Sequence, residues 1–473
     1  MKETSTKSRV LALDAFRGWA ILGMVLSGVV PMGVLPAWMY HAQLPPPKHA
    51  FNPAIAGLTW VDLVFPFFLF ALGAALPLAL SRFRQTEKAT KALFIRLGQR
   101  FGVLAFFAFA LQHLRPYVLN PTPVGWTWIT ALIGFVFLAW ILVRLPATWL
   151  LSEQRFFRVL GWVGILTLLA SLMYPHGMGF STQRRDIILL FLAHMTFWGG
   201  LLWWFTRDLP FHRLGIMAAL VALRLSVFYD DGSWAAVFWA WNPVKWLFEW
   251  EFLRYLLIVL PGTMVGEWLL EQQQPADYAL ITKDRFWLSA MAWVALGLVC
   301  VVCIGLQARQ SGQTVMFAVV LLAFLVGMMR HSAFRNWLLL SRLLQWGGFW
   351  LMLGLFVEAF EGGIKKDEPT YSYFFVTIGL AMLSLLALVI WMDLLGKKGG
   401  ILGLFTENGQ NPILAYVLMG NVIVPLLHLS GLQKWIIAFT ASPILGLGRG
   451  VFYALLLAFL VRFATRKGFI LRS

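Results

Sequence analysis

Charged residues are scarce in this sequence. Only 12% of its 473 residues are Asp, Glu, Lys or Arg, whereas 60% are hydrophobic. A water-soluble domain normally has about 25% charged residues, so this composition excludes an ordinary soluble protein. Apolar stretches of roughly 17–25 residues recur along the chain, each long enough to cross a hydrocarbon core about 30 Å thick. The sequence predicts an all-α polytopic membrane protein with about 12 transmembrane helices, within the range 10 to 14.

Cysteine and metal-ligand patterns are also sparse. Cys300 and Cys303 are the only cysteines, and both lie in the apolar run WLSAMAWVALGLVCVVCIGL, which excludes a disulfide framework and favours simple packing. Six of the eight histidines occur singly and without a spacing such as HExxH: His113, His176, His194, His212, His331 and His428. We therefore expect no bound metal.

Acidic residues are few compared with basic residues, at 21 against 38, which gives a net charge of +17. The basic residues fall in short blocks between apolar runs, as membrane orientation requires, and not in the continuous surface that nucleic acid would need. We expect a multi-pass protein of the bacterial inner membrane with both termini cytoplasmic and no nucleic-acid partner. Arg184 and Arg185 depart from this pattern, because they fall in a loop predicted to lie outside.

The apolar runs give candidate spans along the whole chain, and residues 1–473 are predicted to form a single transmembrane domain without a soluble part. The candidate spans are residues 12–34, 58–80, 93–113, 126–143, 157–174, 187–206, 211–228, 252–270, 286–306, 315–330, 337–357, 372–394, 411–428 and 446–463.

Ionisable residues inside these spans are functional candidates, because a charge at membrane depth costs several kcal/mol unless it is paired or hydrated. In LDAFRG, Asp14 and Arg17 are three residues apart and can pair on one helical face, as a structural ion pair or as part of a site. In WVDLVFPFF, Asp62 lies one turn before Pro66, whose ring leaves a helix carbonyl without its donor. That kink could be purely structural or could have a polar lining.

Two histidines lie between the first two spans, in the loop WMYHAQLPPPKHAFNP. A loop histidine is most often simply solvated. Here His41 and His49 lie in a proline-rich loop between two helices that carry charges, and imidazole is suited to accept a proton near neutral pH. Both are candidate catalytic residues, and Asp62 is close enough in sequence to orient the ring of His41.

The segments LDAFRGWAILGMVL, HA and GLTWVDLVFPFFLFALG resemble the transmembrane acyltransferases related to heparan-α-glucosaminide N-acetyltransferase. The resemblance covers roughly residues 10 to 80 and continues weakly at RLGQRFGVL and NGQNPILAYVL. It is closest to a bacterial, largely uncharacterised branch. It implies transfer of an acetyl group from cytoplasmic acetyl-CoA to an amino sugar on the other side, with a catalytic histidine in the first outer loop.

The family histidine corresponds to His41 or to His49. The aromatic string WMYHA favours His41, whereas the shorter distance to the second span favours His49; we prefer His41 because PPPKHAFNPA reads as an insertion. The family usually has an asparagine after MVL, where this chain has Ser27 and Gly28. That difference leaves the acceptor, and the reaction itself, open.

Acetyl-CoA requires cations for its phosphates. A basic cluster follows the second span, and its residues also fit ordinary positive-inside topology: Arg82, Arg84, Lys88, Arg96 and Arg100. The alternative function is a transporter or flippase for a sugar, a lipid-linked sugar or a cell-wall fragment, for which PGTMVG would supply a broken helix. A homo-oligomer is compatible with either function.

Overall fold

The computed structural model describes residues 10–33, 35–81, 83, 86–143, 150–229, 232–272, 282–330 and 338–472. Within these ranges the regular structure is helical. The α-helices are α1 (Leu11–Val29), α2 (Trp60–Leu80), α3 (Glu87–His113), α4 (Pro116–Leu119), α5 (Gly125–Leu142), α6 (Leu151–Ser171), α7 (Ile187–Phe205), α8 (Pro210–Tyr229), α9 (Trp234–Ala240), α10 (Leu256–Glu271), α11 (Thr282–Gln307), α12 (Ser311–Met329), α13 (Leu338–Phe360), α14 (Tyr371–Val389), α15 (Gly400–Gln410), α16 (Pro412–Leu418), α17 (Val424–Leu429), α18 (Leu432–Phe439) and α19 (Pro443–Arg466).

Thirteen helices in the described ranges are long and apolar enough to cross a membrane. The prediction of an all-α polytopic membrane protein is therefore confirmed. The predicted span at 157–174 corresponds to α6, which is not among the thirteen; its first half contains Glu153, Arg155 and Arg158. π-helical turns extend α14 at Ile390–Leu394 and join α16 to α17 at Met419–Ile423, so both apolar segments remain continuous.

The chain divides into two compact units. Unit 1 consists of Met1–Ser27, Met32–Leu80 and Leu257–Gly409, and unit 2 of Gly28–Pro31, Ser81–Leu256 and Gln410–Ser473. Unit 1 therefore contains most of α1, α2 and α10 to α15. Its centre is α14, whose nineteen residues are all buried.

In unit 1, α1 packs closely against α15 through two glycines. A Cβ atom on Gly18 would lie 1.7 Å from the Phe405 carbonyl oxygen, and one on Gly409 would lie 1.8 Å from the Asp14 carbonyl oxygen. The predicted pairing of Asp14 with Arg17 is confirmed, with a distance of 3.6 Å between Oδ1 and Nη1. Arg17 also donates to the Gly409 carbonyl at 3.1 Å, so this ion pair ties the two helices together.

The PGTMVG segment, predicted to break a helix, lies inside the continuous helix α10 with Pro261 in its interior. That prediction is wrong, because the small residues of this segment serve close packing instead. A Cβ atom on Gly262 would lie 2.5 Å from the Phe70 carbonyl oxygen, and one on Gly266 would lie 2.3 Å from the Ala74 carbonyl oxygen. The later glycine of α10 contacts a later residue of α2, so α2 and α10 run parallel.

Candidate functional site

His41 and Asp62 form the centre of a polar cluster in unit 1. His41 Nδ1 lies 2.7 Å from Asp62 Oδ1, which confirms the predicted contact between the two residues. The carboxylate is 2% exposed and the imidazole 31% exposed. A buried acid therefore holds a partly exposed imidazole ring.

The backbone explains why Asp62 points toward His41. The Thr59 and Ala42 amides donate to Asp62 Oδ2 at 3.0 Å and 3.2 Å. Thr59 directly precedes the helix that begins at Trp60, so Asp62 occupies the third helical position and closes half of a capping box. Oδ2 is thus held by backbone donors, which leaves Oδ1 for the imidazole.

The start of α2 refines the predicted depth of Asp62. The predicted span begins at residue 58, which places Asp62 at the fifth position of the helix. The helix begins at Trp60, so Asp62 lies in its first turn, at the loop end of the span. The pattern TWVD, a hydroxyl residue three before an acid at the start of an apolar run, is the sequence signal for this position.

The predicted free carbonyl before Pro66 is that of Asp62 itself. Proline has no N–H to donate to the residue four positions earlier. The Tyr373 hydroxyl on α14 donates to the Asp62 carbonyl oxygen at 3.0 Å instead. The proline therefore opens a position through which α14 fixes the backbone of Asp62.

A second loop, residues 361–370, packs on the first and is called the Lys366 loop. The Gly57 amide donates to the Ile364 carbonyl oxygen at 2.8 Å, and the Asp367 amide donates to Gln43 Oε1 at 2.8 Å. The Gln43 amide nitrogen also donates to the Asp367 carbonyl oxygen. Gln43, 3% exposed, thus holds the two loops together through both ends of its amide group.

Lys366 brings a cation to the imidazole. Its Nζ lies 3.1 Å from His41 Nδ1 and 3.5 Å from Nε2. An ionised Asp62 only accepts hydrogen bonds, so the proton shared with it belongs to His41 Nδ1. In the neutral ring Nε2 then presents its lone pair, with an ammonium group beside it.

His49 has a different environment, in which both ring nitrogens contact the loop backbone. Nε2 accepts from the Gly33 amide at 2.7 Å, and Nδ1 lies 3.1 Å from the Leu44 carbonyl oxygen. The ring also packs edge-on against Tyr40, with 4.4 Å between the ring centroids. These contacts fit a residue that shapes the loop, and they leave no ring nitrogen for a substrate.

A further ion pair, between Arg309 and Glu358, contacts the Lys366 loop. Arg309 Nη1 donates to Glu358 Oε1 at 2.8 Å, and Nη2 donates to the Gly362 carbonyl oxygen at 3.3 Å. Glu358 is 2% exposed and therefore requires this partner. Glu361 accepts from the Tyr371 and Ser372 amides at 2.7 Å and 2.8 Å and caps α14. Glu358 and Glu361 thus have structural partners.

The residues predicted to bind acetyl-CoA lie in unit 2. Lys88, Arg96 and Arg100 are on α3, where Lys88 and Arg96 are exposed and Arg100 is half-buried. Arg96 lies 5.8 Å from the centroid of the Phe83 ring. Arg82 and Arg84 lie outside the described residues. Lys88 and Arg96 are therefore the accessible described cations of this set, and they lie in the first half of α3.

Unit 2 contains a polar cluster that sequence analysis missed. Asp186 caps α7 and accepts from Arg115 Nη2 at 2.7 Å. The Tyr416 hydroxyl lies 3.0 Å and 3.1 Å from the two carboxylate oxygens of Asp186. Asp186 is followed at once by a long apolar run, which is a helix-start signal. With both oxygens occupied by protein donors, this cluster is structural.

Lys366 was missed as well. It lies 325 residues from His41 in the sequence, so no local pattern links them. The available signal was the pair Lys365 and Lys366 in the acidic segment EGGIKKDEP, which is predicted to lie outside, where few cations are expected.

Comparison with known proteins adds one finding. No curated protein matches the chain. One family model, described as a domain of unknown function (DUF5009), matches residues 9–269, which include α1, α2, His41 and Asp62. This match covers more than half of the sequence, and the chain belongs to the DUF5009 family.

Proposed function

We propose that the protein is an integral membrane acyltransferase of the bacterial inner membrane. It moves an acetyl group from cytoplasmic acetyl-CoA to a saccharide, an amino sugar by preference, on the periplasmic side. The observation that carries this proposal is the imidazole of His41, which is oriented by Asp62 at 2.7 Å and has its Nε2 edge beside Lys366. The resemblance of residues 10 to 80 to transmembrane acyltransferases gives independent support.

His41 acts as the general base in this reaction. The acceptor amine or hydroxyl gives its proton to Nε2, and its nitrogen or oxygen bonds to the acyl carbon of the thioester. The carbon–sulfur bond then breaks with its electron pair on sulfur, and the imidazolium returns the proton to the thiolate. Asp62 stabilises the imidazolium through Nδ1–H, and the ammonium of Lys366 stabilises the negative charge on the acyl oxygen.

The donor phosphates are assigned to Lys88 and Arg96 on α3. Both side chains are exposed and can form charge-assisted hydrogen bonds with phosphate oxygens. Neutralising both should raise the KM for acetyl-CoA and leave the KM for the acceptor unchanged.

The test is transfer of radiolabelled acetyl from acetyl-CoA to glucosamine in proteoliposomes that contain equal amounts of folded protein. We expect His41→Ala to lower kcat by at least about 100-fold, because a positioned general base contributes about 10²–10⁴-fold. Asp62→Asn should cause a comparable loss, because the asparagine oxygen is needed by the Thr59 and Ala42 amides and its NH2 group then faces Nδ1, which moves the ring proton to Nε2. His49→Ala should retain kcat, because its nitrogens serve the loop backbone.

Three outcomes would contradict all or part of the proposal. Loss of activity in His49→Ala but not in His41→Ala would transfer the catalytic role to His49. If the wild type acetylates no amine or hydroxyl sugar but moves a labelled sugar across the bilayer, the protein is a transporter. Recovery of acetyl on the protein itself, before acceptor is added, would instead make His41 an acetyl carrier.

A further inference from the structure

An apolar cavity of about 840 Å³ lies beside the polar cluster in unit 1. It is bounded by α1, α2 and α11, and none of its lining residues is charged. Its volume is within the range of roughly 300–1,000 Å³ that is typical of small-molecule sites. A cavity with this lining suits hydrocarbon better than water, because water would find almost no polar partners there.

The cavity is long and open to the side. On α11 its lining extends from Trp293 to Gln307, a length of about 21 Å at 1.5 Å per residue. This is about two-thirds of a hydrocarbon core about 30 Å thick. Trp293 and Ile304 on its wall are 64% and 68% exposed. A chain can therefore enter it laterally from the bilayer.

The outer end of the cavity is continuous with the polar cluster. Thr59 lines the cavity, and its hydroxyl lies 3.0 Å from Asp62 Oδ2, the carboxylate that holds His41. Ala308, at the same end, directly precedes Arg309. A molecule with its tail in the cavity would thus place its polar head among the cations Lys366 and Arg309.

Resting on the proposed acyltransferase function, we propose that the acceptor is a lipid-linked saccharide, joined through phosphate to a long isoprenoid chain. The chain occupies the cavity between α1, α2 and α11. The phosphate lies at the outer end of the cavity beside Arg309, whose side chain is 42% exposed, and the sugar faces Nε2 of His41, where Lys366 remains available to the acyl oxygen. The polar cluster and the apolar cavity, joined at Thr59, together fit one amphiphilic substrate better than a free sugar.

The first test compares two acceptors with the same head, glucosaminyl phosphate on a long isoprenoid chain and water-soluble glucosamine 1-phosphate. We expect kcat/KM for the lipid-linked acceptor to exceed that for the soluble one at least tenfold.

Cys300→Trp places a large ring in the cavity and should lower kcat/KM about tenfold for the lipid-linked acceptor only. Gly297→Trp is the matched control, since Gly297 is on the same helix, outside the cavity, with no neighbouring atom within 4 Å of its Cβ position. Equal use of both acceptors by the wild type, or equal loss on both in Cys300→Trp, would overturn the proposal.

The second test measures binding without activity. A diazirine-bearing isoprenoid phosphate should crosslink to peptides of α1, α2 or α11 in the purified wild type. Unlabelled isoprenoid phosphate should abolish this crosslinking, whereas the same excess of phosphatidylglycerol should not. Equal competition by phosphatidylglycerol would make the cavity a site for ordinary bilayer lipid and overturn the proposal. Specific crosslinking without any acetyl transfer would keep the lipid site and reject the acyltransferase function.

Discussion

The two loop histidines show how far residue type predicts a role. His41 and His49 lie eight positions apart in the same loop, and their sequence surroundings favour each in turn. Their contacts separate them: Asp62 Oδ1 and Lys366 Nζ face His41, whereas backbone groups of Gly33 and Leu44 face His49. The candidate pair His41 and Asp62 could be predicted from sequence because both belong to neighbouring segments. The choice between histidines needed contacts across the folded loop.

Lys366 can be tested against its own neighbour. Lys366→Met removes the ammonium group 3.5 Å from Nε2 and should lower kcat about 10- to 100-fold if that charge stabilises the acyl oxygen. Lys365→Met is the matched control, because it removes the same charge from the same loop. The measurement is steady-state acetyl transfer at equal folded protein. Equal loss in both variants would indicate a general effect of loop charge, and an active Lys366→Met would exclude this role.

At the scale of helices, hydropathy predicts the spans well and their contacts poorly. The predicted span 58–80 corresponds to Trp60–Leu80, and 187–206 corresponds to Ile187–Phe205. Lipid-compatible length and apolarity are local properties, so the sequence shows them directly. The contact of Tyr373 with the Asp62 carbonyl is not local, because it joins residues 311 positions apart.

The ion pair between Asp14 and Arg17 should stabilise α1 against α15. Asp14→Asn or Arg17→Gln alone leaves a partner charge in a buried contact, which costs several kcal/mol, whereas loss of both can be nearly neutral. We therefore expect the double variant to melt at a higher temperature than at least one single variant. Arg17→Gln also loses the bond to the Gly409 carbonyl, so it should be the less stable single variant.

Melting in detergent, followed by tryptophan fluorescence, measures the stability of these three variants. If the double variant is the least stable of the three, the two charges do not act as a pair. Gly98→Ala is a suitable control, since its Cβ position on α3 has no neighbouring atom within 4 Å. It should leave the melting temperature unchanged or slightly higher, because alanine favours a helix more than glycine does.

For the whole molecule, helix directions constrain the number of crossings. In unit 1, α2 and α10 run parallel, so the intervening chain must cross the membrane an odd number of times. Four candidate spans lie there: Lys88–His113, Gly125–Leu142, Ile187–Phe205 and Pro210–Val227. We propose that α6, which has 21 residues, makes the fifth crossing. The described residues would then contain fourteen spans, the upper end of the predicted range.

Contacts within unit 2 lead to the same conclusion. α6 packs antiparallel on α5, where a Cβ atom on Gly161 would lie 2.9 Å from the Phe137 carbonyl oxygen. Beyond the end of α6, the Tyr174 hydroxyl donates to the His113 carbonyl oxygen at 3.3 Å, at the end of α3. The chain after α6 has thus returned to the side where α5 begins. Arg185 in this returning segment donates to Glu249 at 3.1 Å, a partner that offsets its charge on the side predicted to be periplasmic.

The last prediction concerns the sides of these loops. Thr122, before α5, and Gly179, after α6, should face the periplasm, and Ser152, at the start of α6 beside Arg155 and Arg158, should face the cytoplasm. All three positions are exposed. Single cysteines are introduced there after Cys300 and Cys303 are replaced, and intact spheroplasts are treated with an impermeant maleimide. Thr122→Cys and Gly179→Cys should label at once, and Ser152→Cys only after lysis.

If Gly179→Cys and Ser152→Cys both label only after lysis while Thr122→Cys labels in intact spheroplasts, or the reverse, α6 does not cross. Labelling of Ser152→Cys alone in intact spheroplasts would reverse the orientation and leave the crossing of α6 intact.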